Sequence, residues 1–92
     1  NDLMAMGALS ALLDLGYDIP NDVSVVGFGD IAAAAVTEPP LTTIRQPAYD
    51  VGRTAATQLL RSLVDRHQPQ FTKHVLEVTL EIRKSTSTPR PI

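Results

Sequence analysis

A chain of 92 residues makes at most one domain, and at this length roughly 60–65% of the unfolded surface is buried on folding. Its 43% hydrophobic content excludes a disordered polymer, and its formal net charge of −2 leaves no basic footprint for nucleic acid within these residues. The absence of cysteine excludes disulfides, thiolate zinc sites and thiol nucleophiles, without fixing a compartment.

No apolar run approaches the ~18 residues that a membrane span needs. The chain opens without an initiator methionine and reads as a piece of a longer protein. The segment from Asp2 to Leu15 is rich in strong helix formers, with Asn1 or Asp2 able to cap its free N–H groups and Gly16 as a stop. Apolar residues lie nearly all round this helix, so more than one side needs cover. A sheet supplies one cover, and further protein or a partner subunit the other. After the turn YDIPND, Val23 to Phe28 is short, β-branched and apolar, which predicts a central parallel strand buried on both faces.

Gly27, Gly29 and Asp30 follow at or near that strand's carboxyl end, then the small-residue stretch IAAAAVTEPP. Leu41 to Arg45 reads as a second strand, and Pro47 opens a helix running to about Arg66. That helix carries a one-sided stripe of Val51, Ala55, Leu59 and Leu63, opposite a wet face of Asp50, Arg53, Thr57, Arg61 and Asp65. Leu76, Val78, Leu80 and Ile82 then alternate with Glu77, Thr79, Glu81 and Arg83, which predicts a half-exposed strand near an edge or a domain junction. The tail KSTSTPRPI is expected to fray. A buried parallel strand among helices implies an α/β fold with an open, mostly parallel sheet flanked by helices. Such a sheet also needs a strand ahead of the first helix, which the chain does not supply, so an incomplete α/β subdomain is expected.

The run NDLMAMGALSALLDLGYDIPNDVSVVGFGDI resembles the second half of the effector domain of LacI/GalR-family transcription regulators. The string EPPLTTIRQP is the more specific match, and LEIRKST is similar to the family's last strand and terminus. The resemblance covers essentially the whole chain in order. It implies that residues 1–92 are the C-terminal portion of an effector-binding and dimerising domain of periplasmic-binding-protein-like type I fold, incomplete here. Effector would sit in a cleft between two subdomains. In open α/β sheets ligands bind outside the carboxyl ends of strands, where Asn1, Gly29 and Asp30 fall.

The resemblance places Asn1, Phe28, Gly29, Asp30 and Gln46 as ligand-binding candidates. Asn1 is otherwise a plain helix cap, Asp2 a cap or dipole partner, Asp30 a structural brace of the loop, and Phe28 either core or cleft lining. Arg45 and Gln46 are otherwise contacts to neighbouring loops. Gly29 stands where the family's effector-binding aspartate is expected. That loss disfavours a simple hexose, and leaves either a bulkier, acidic or phosphorylated effector or a lost response.

Family interfaces place Met6, Leu9, Ser10, Leu13, Ala34, Val36 and Thr37 at a dimer contact, although part of this apolar set must pack on the chain's own sheet. On that reading Met6→Asp dissociates the dimer and leaves the helix intact. The implied protein is a cytoplasmic homodimer with no membrane contact and no cofactor. It binds a sugar, sugar derivative or nucleobase-like effector, and reaches operator DNA through a headpiece outside this chain.

An enzyme is not expected. His67 and His74 have no helical pairing of ligands for a metal. Ser24 has no nucleophile-elbow pattern, Ser85 to Thr88 is a polar tail, and Gly27 to Asp30 lacks the spacing of a phosphate loop. Glu77 and Glu81 face solvent. A periplasmic sugar receptor of the same fold is the alternative, and a metabolic enzyme on a doubly wound sheet is a third, weaker class.

Overall fold

The computed structural model describes residues 1–65 and 73–91. They form helix α1 (Asp2–Asp14), a 3-10 turn (Ala32–Ala35), strand β1 (Thr43–Arg45), helix α2 (Ala48–Val64) and strand β2 (Thr79–Glu81). The chain divides into two compact units, Asn1–Gln46 with Val78–Ile92, and Pro47–Glu77.

Both ends of α1 are set by local chemistry. The Asn1 side chain accepts from the Met4 N–H at 3.0 Å. At the far end Gly16 takes φ +86°, its N–H donates to Leu13, and the Tyr17 N–H donates to Leu12, each at 3.0 Å. This is a Schellman closure, which needs the left-handed residue that glycine supplies. Ala5 and Leu9 on the inner face join Ile19, Ala34 and Leu41 in the core, with Met6, Leu12 and Val25 packed against it. Burial of Leu9, Ile19 and Leu41 stabilises by roughly 4.5–9 kcal/mol together. Polar pins therefore matter to this unit. Leu3, Met4, Leu13 and Leu15 on the outer side of α1 stay exposed, as a helix without a polar face predicts.

Residues 23–29 run parallel to β1, with bridges Val26 to Thr42 and Gly29 to Arg45. The Gly27 N–H donates to Thr42 at 2.9 Å and the Gly29 N–H to Ile44 at 2.7 Å. The expectation of burial on both faces is not met. Val25 is half-buried and Gly27 buried, whereas Val26 and Phe28 are 54% and 42% exposed. One face is covered by α1, and among the described residues nothing covers the other. Phe28 is therefore not core. Among the described residues parallel pairing is limited to these two bridges, and strands β1 and β2 pair antiparallel, with Thr43 opposite Glu81, Ile44 opposite Leu80 and Arg45 opposite Thr79.

At residues 80–83 the alternation is present with burial reversed: Leu80 and Ile82 are exposed, whereas Glu81 and Arg83 are half-buried beside Arg45 and Asp30. Before them Leu76 is half-buried, and Glu77, Val78 and Thr79 are all exposed.

The tail does not fray at its start. Ser85 is fully buried; its hydroxyl donates to the Val25 carbonyl at 2.6 Å and accepts from the Thr42 N–H at 2.8 Å. The Val25 N–H donates to the Ser85 carbonyl at 3.0 Å, the Thr42 and Thr86 hydroxyls are 2.8 Å apart, and Arg90 pairs with Asp22 at 3.0 Å. Residues 85–87 thus run beside residues 24–25.

In the second unit, Pro47 caps α2 and its carbonyl accepts from the Val51 N–H at 2.9 Å. No residue of α2 is buried. Its apolar stripe was expected to pack on one side, but the other described residues of that unit are a short extended stretch, too little to cover a helix face. The predicted end near Arg66 and the candidate His67 lie outside the described residues.

Candidate ligand-binding site

The loop after residues 23–28 is built around two carboxylates. Asp2, in the first turn of α1, is 1% exposed. Its Oδ1 accepts from the Thr43 hydroxyl at 2.6 Å and its Oδ2 from the Ile31 N–H at 2.8 Å, while its own N–H donates to the Phe28 carbonyl at 3.1 Å. One side chain thus ties the helix start to β1 and to the loop. A carboxylate there also suits the positive end of the helix. Gly27 makes this approach possible: a Cβ at that position would overlap the Asp2 carboxylate and stand 2.8 Å from a Leu41 methyl.

The chain then turns through two residues of positive φ, Gly29 at +129° and Asp30 at +58°. Asp30 directs one oxygen at each of two arginines. Its Oδ1 lies 2.7 Å from Arg83 Nη2 and its Oδ2 lies 2.8 Å from Arg45 Nε. Arg83 also donates through Nη1 to the Leu41 carbonyl at 2.9 Å, and Arg45 Nη1 lies 3.5 Å from Glu81. The hydrogen bonds from Arg83 and then Arg45 hold the Asp30 carboxyl below the usual carboxylate range, outweighing the opposite pull of desolvation. The hydrogen bond to Asp30, and then the charge of Glu81, raise Arg45 in turn.

With both carboxylates engaged, other groups form the surface at this end of the strands. Gln46 follows the last residue of β1, and its amide nitrogen stands 3.9 Å from where a Cβ on Gly29 would be. Asn1 and the half-exposed Phe28 ring lie beside the Asp2 to Phe28 hydrogen bond. The structure thus sets Gln46 beside Gly29 and Asn1 one residue from the Asp2 to Phe28 bond, and directs the Asp30 side chain into the ion-pair cluster. Two amides, an aromatic ring and the space over Gly29 can hydrogen-bond and stack on a polar ligand. Among the described residues no three His, Cys, Asp or Glu side chains are grouped to hold a metal ion.

The expected partner-contact residues separate. Leu9 and Ala34 are buried in the chain's own core, which corrects their expected surface position. Met6 is half-buried and packs on that core, and Thr37 is half-buried with its hydroxyl 2.9 Å from the Pro39 carbonyl. Ser10, Leu13 and Val36 are exposed. Thr43, Arg83 and Ser85 escaped the sequence reading because each acts on a residue some 40–60 positions away. Only Gly27, a glycine inside an otherwise β-branched run, carried a local signal of close approach.

Residues 1–86 match the family described as periplasmic binding protein-like domain. The chain belongs to that family. Its relatives are LacI-type regulators, as the VVGFGD and EPPLTTIRQP runs led us to expect. The regulator MalR of Streptomyces coelicolor is 42% identical over 88 residues, covering 96% of this chain and 25% of MalR. A LacI-family transcriptional regulator from Enterococcus faecium, solved with bound ribose, has TM-score 0.84 and 33% identity, over 98% of this chain and 33% of that one. The dimeric lac repressor with an 11-residue C-terminal deletion has TM-score 0.83 and 37% identity, over 98% and 32%. The chain spans about a quarter of the length of the curated relatives it matches. These relatives are transcriptional regulators, and they favour the regulator reading over the periplasmic receptor.

Proposed function

We propose that residues 1–92 form the C-terminal portion of the effector-binding and self-associating domain of a cytoplasmic, ligand-responsive transcription regulator. The observation that carries this reading is the placing of Gln46 beside Gly29, with Asn1 one residue from the Asp2 to Phe28 bond, at the carboxyl ends of the strands. This arrangement stands in a chain matched over 98% of its length by a LacI-family regulator that holds ribose. The chemistry is binding alone. An effector seated over Gly29 and bonded to the Gln46 and Asn1 amides favours one arrangement of the domain by its difference in affinity between the two states. In a homodimer that difference resets two DNA-binding headpieces outside this chain. Ser10, Leu13 and Val36 supply the exposed part of the self-association face, and the dimeric state of the related lac repressor supports it.

Both carboxylates near the mouth are taken up by N–H, hydroxyl and guanidinium partners, so amides do the recognition. This suits a sugar derivative or a nucleobase-like ligand that carries its own acceptors. The test uses the protein made from its native gene. Its N-terminal sequence and intact mass are read first, and gel shifts on DNA upstream of that gene follow, with and without ribose and a panel of sugar phosphates. A longer chain with a helix-turn-helix segment and effector-dependent DNA binding is the expected result. A chain trimmed of a secretory signal, with no DNA binding, would make it a receptor instead.

A further inference from the structure

Asn1 and Asp2 divide the start of α1 between them. Asn1 caps the helix, its Oδ1 accepting from the Met4 N–H at 3.0 Å. The Asp2 carboxylate is therefore not spent on α1. It accepts from the Thr43 hydroxyl at 2.6 Å through Oδ1 and from the Ile31 N–H at 2.8 Å through Oδ2, and neither donor belongs to the helix. The backbone N–H of the same residue donates to the Phe28 carbonyl at 3.1 Å. Asp2 thus holds both ends of the turn Phe28, Gly29, Asp30, Ile31, with its main chain on the first member and its side chain on the last.

The two residues between those ends are the ones with positive φ, Gly29 at +129° and Asp30 at +58°. Such conformations persist only where the surroundings over-determine them. The Gly29 N–H, bonded to the Ile44 carbonyl at 2.7 Å, anchors the turn on its β1 side, and Asp2 anchors it on its α1 side. Asp2 Oδ2 also stands 3.9 Å from where a Cβ on Gly29 would be, so the carboxylate borders Gly29 itself.

We propose that Asp2 is a positioning residue: by bracketing residues 28–31 it sets the backbone of Gly29, and with it the surface against which a ligand rests. The bracket stands on the bonds above; its service to a ligand rests on the effector reading. Asp2 as a mere partner of the helix dipole is a different claim, because that role needs the negative charge, whereas the bracket needs only an acceptor for Ile31. An asparagine supplies that acceptor. Its Oδ1 takes the Ile31 N–H, and the Thr43 hydroxyl turns to accept from Nδ2. An alanine supplies none.

The experiment is residue-resolved hydrogen exchange on the protein made from its native gene, followed by titration with ribose. In Asp2→Ala the Ile31 and Gly29 amides are expected to exchange about tenfold faster, as the loss of one hydrogen bond to a carboxylate implies, with Leu9 and Thr42 as in the parent. Asp2→Asn should match the parent at all four. Ser85→Ala gives the reverse pattern, fast at Thr42 and parent-like at Ile31, which separates a local bracket from a general loss of stability. Should Asp2→Ala fail to fold, Thr43→Val carries the same test with a smaller change, since it frees Oδ1 at nearly constant volume. Equal losses in Asp2→Asn and Asp2→Ala would overturn the bracket in favour of a charge on the helix. Fast exchange at Ile31 with Gly29 unmoved would overturn it too. Ribose affinity should fall by about tenfold in Asp2→Ala and hold in Asp2→Asn. An affinity that survives a loosened turn would overturn the positioning role. Gel shifts on the same samples keep the two ideas apart. The expected exchange pattern in a protein that binds no operator DNA upholds the bracket and sinks the regulator reading; DNA binding with parent-like exchange in Asp2→Ala sinks the bracket alone.

Discussion

A methyl group on Gly27 would collide with the Asp2 carboxylate, and that carboxylate is the knot joining α1, β1 and the loop at Ile31. Gly27→Ala should therefore destabilise the protein by about 1–3 kcal/mol, through overpacking against the buried side chains of Asp2, Leu41 and Thr43. A urea melt reads this directly, and an unchanged midpoint would show that the knot can give. Asp30 makes a prediction of the opposite kind, in pH. Its folded carboxyl holds a proton less tightly than the unfolded one, whose pKa is about 3.9. The pairing thus contributes fully above that value, and the contribution is lost as pH falls through the lower folded value. Asp30→Asn should lower stability near neutrality and flatten the acid limb of the stability profile below about pH 4. Thermal midpoints across that range for parent and variant would check it; parallel acid limbs would exclude Asp30 as a source.

At the scale of elements, α1 is the piece whose limits were legible. Its cap at Asn1 and its closure at Gly16 are bonds between residues three to five apart, so the signals lie beside the helix they end. The segment Val23 to Phe28 was legible as extended chain, but which of its faces is covered depends on α1 alone. Ser85 shows what was not legible. It lies in a polar tail, yet its hydroxyl is shared between Val25 and Thr42, 60 and 43 residues away. Ser85→Ala should cost about 1–3 kcal/mol, because it leaves the buried Thr42 N–H and the part-buried Val25 carbonyl without this partner. Faster hydrogen exchange at the Thr42 amide would accompany the loss. A melt like the parent's would mean that water or backbone movement replaces the hydroxyl.

For the whole molecule, the exposed part of the expected contact face has narrowed to Ser10, Leu13 and Val36, with Leu9 and Ala34 withdrawn into the core. Met6→Asp is no longer a clean probe, since Met6 packs on that core. On the homodimer proposed above, Leu13→Asp with Val36→Asp should abolish self-association of the full-length protein while the fold survives, because neither side chain is buried within the chain. Sedimentation equilibrium of the double variant is the check; a dimer as tight as the parent's would move the interface elsewhere.

The sequence by itself determined what depends on near neighbours and on strings of residue types. That covers the capped first helix, the turn residues, the extended segments, the likeness to LacI-type regulators, and the place of Gly29 and Asp30 just past the end of an extended segment. The tertiary structure alone decided the partners of the charges and the buried face of each strand. Asp30 finds Arg83 across 53 residues, and Glu81 and Arg83 are half-buried beside their partners while Leu80 and Ile82 stay exposed. A period of two marks two faces without saying which is covered. That choice is made by what the rest of the chain places opposite each face.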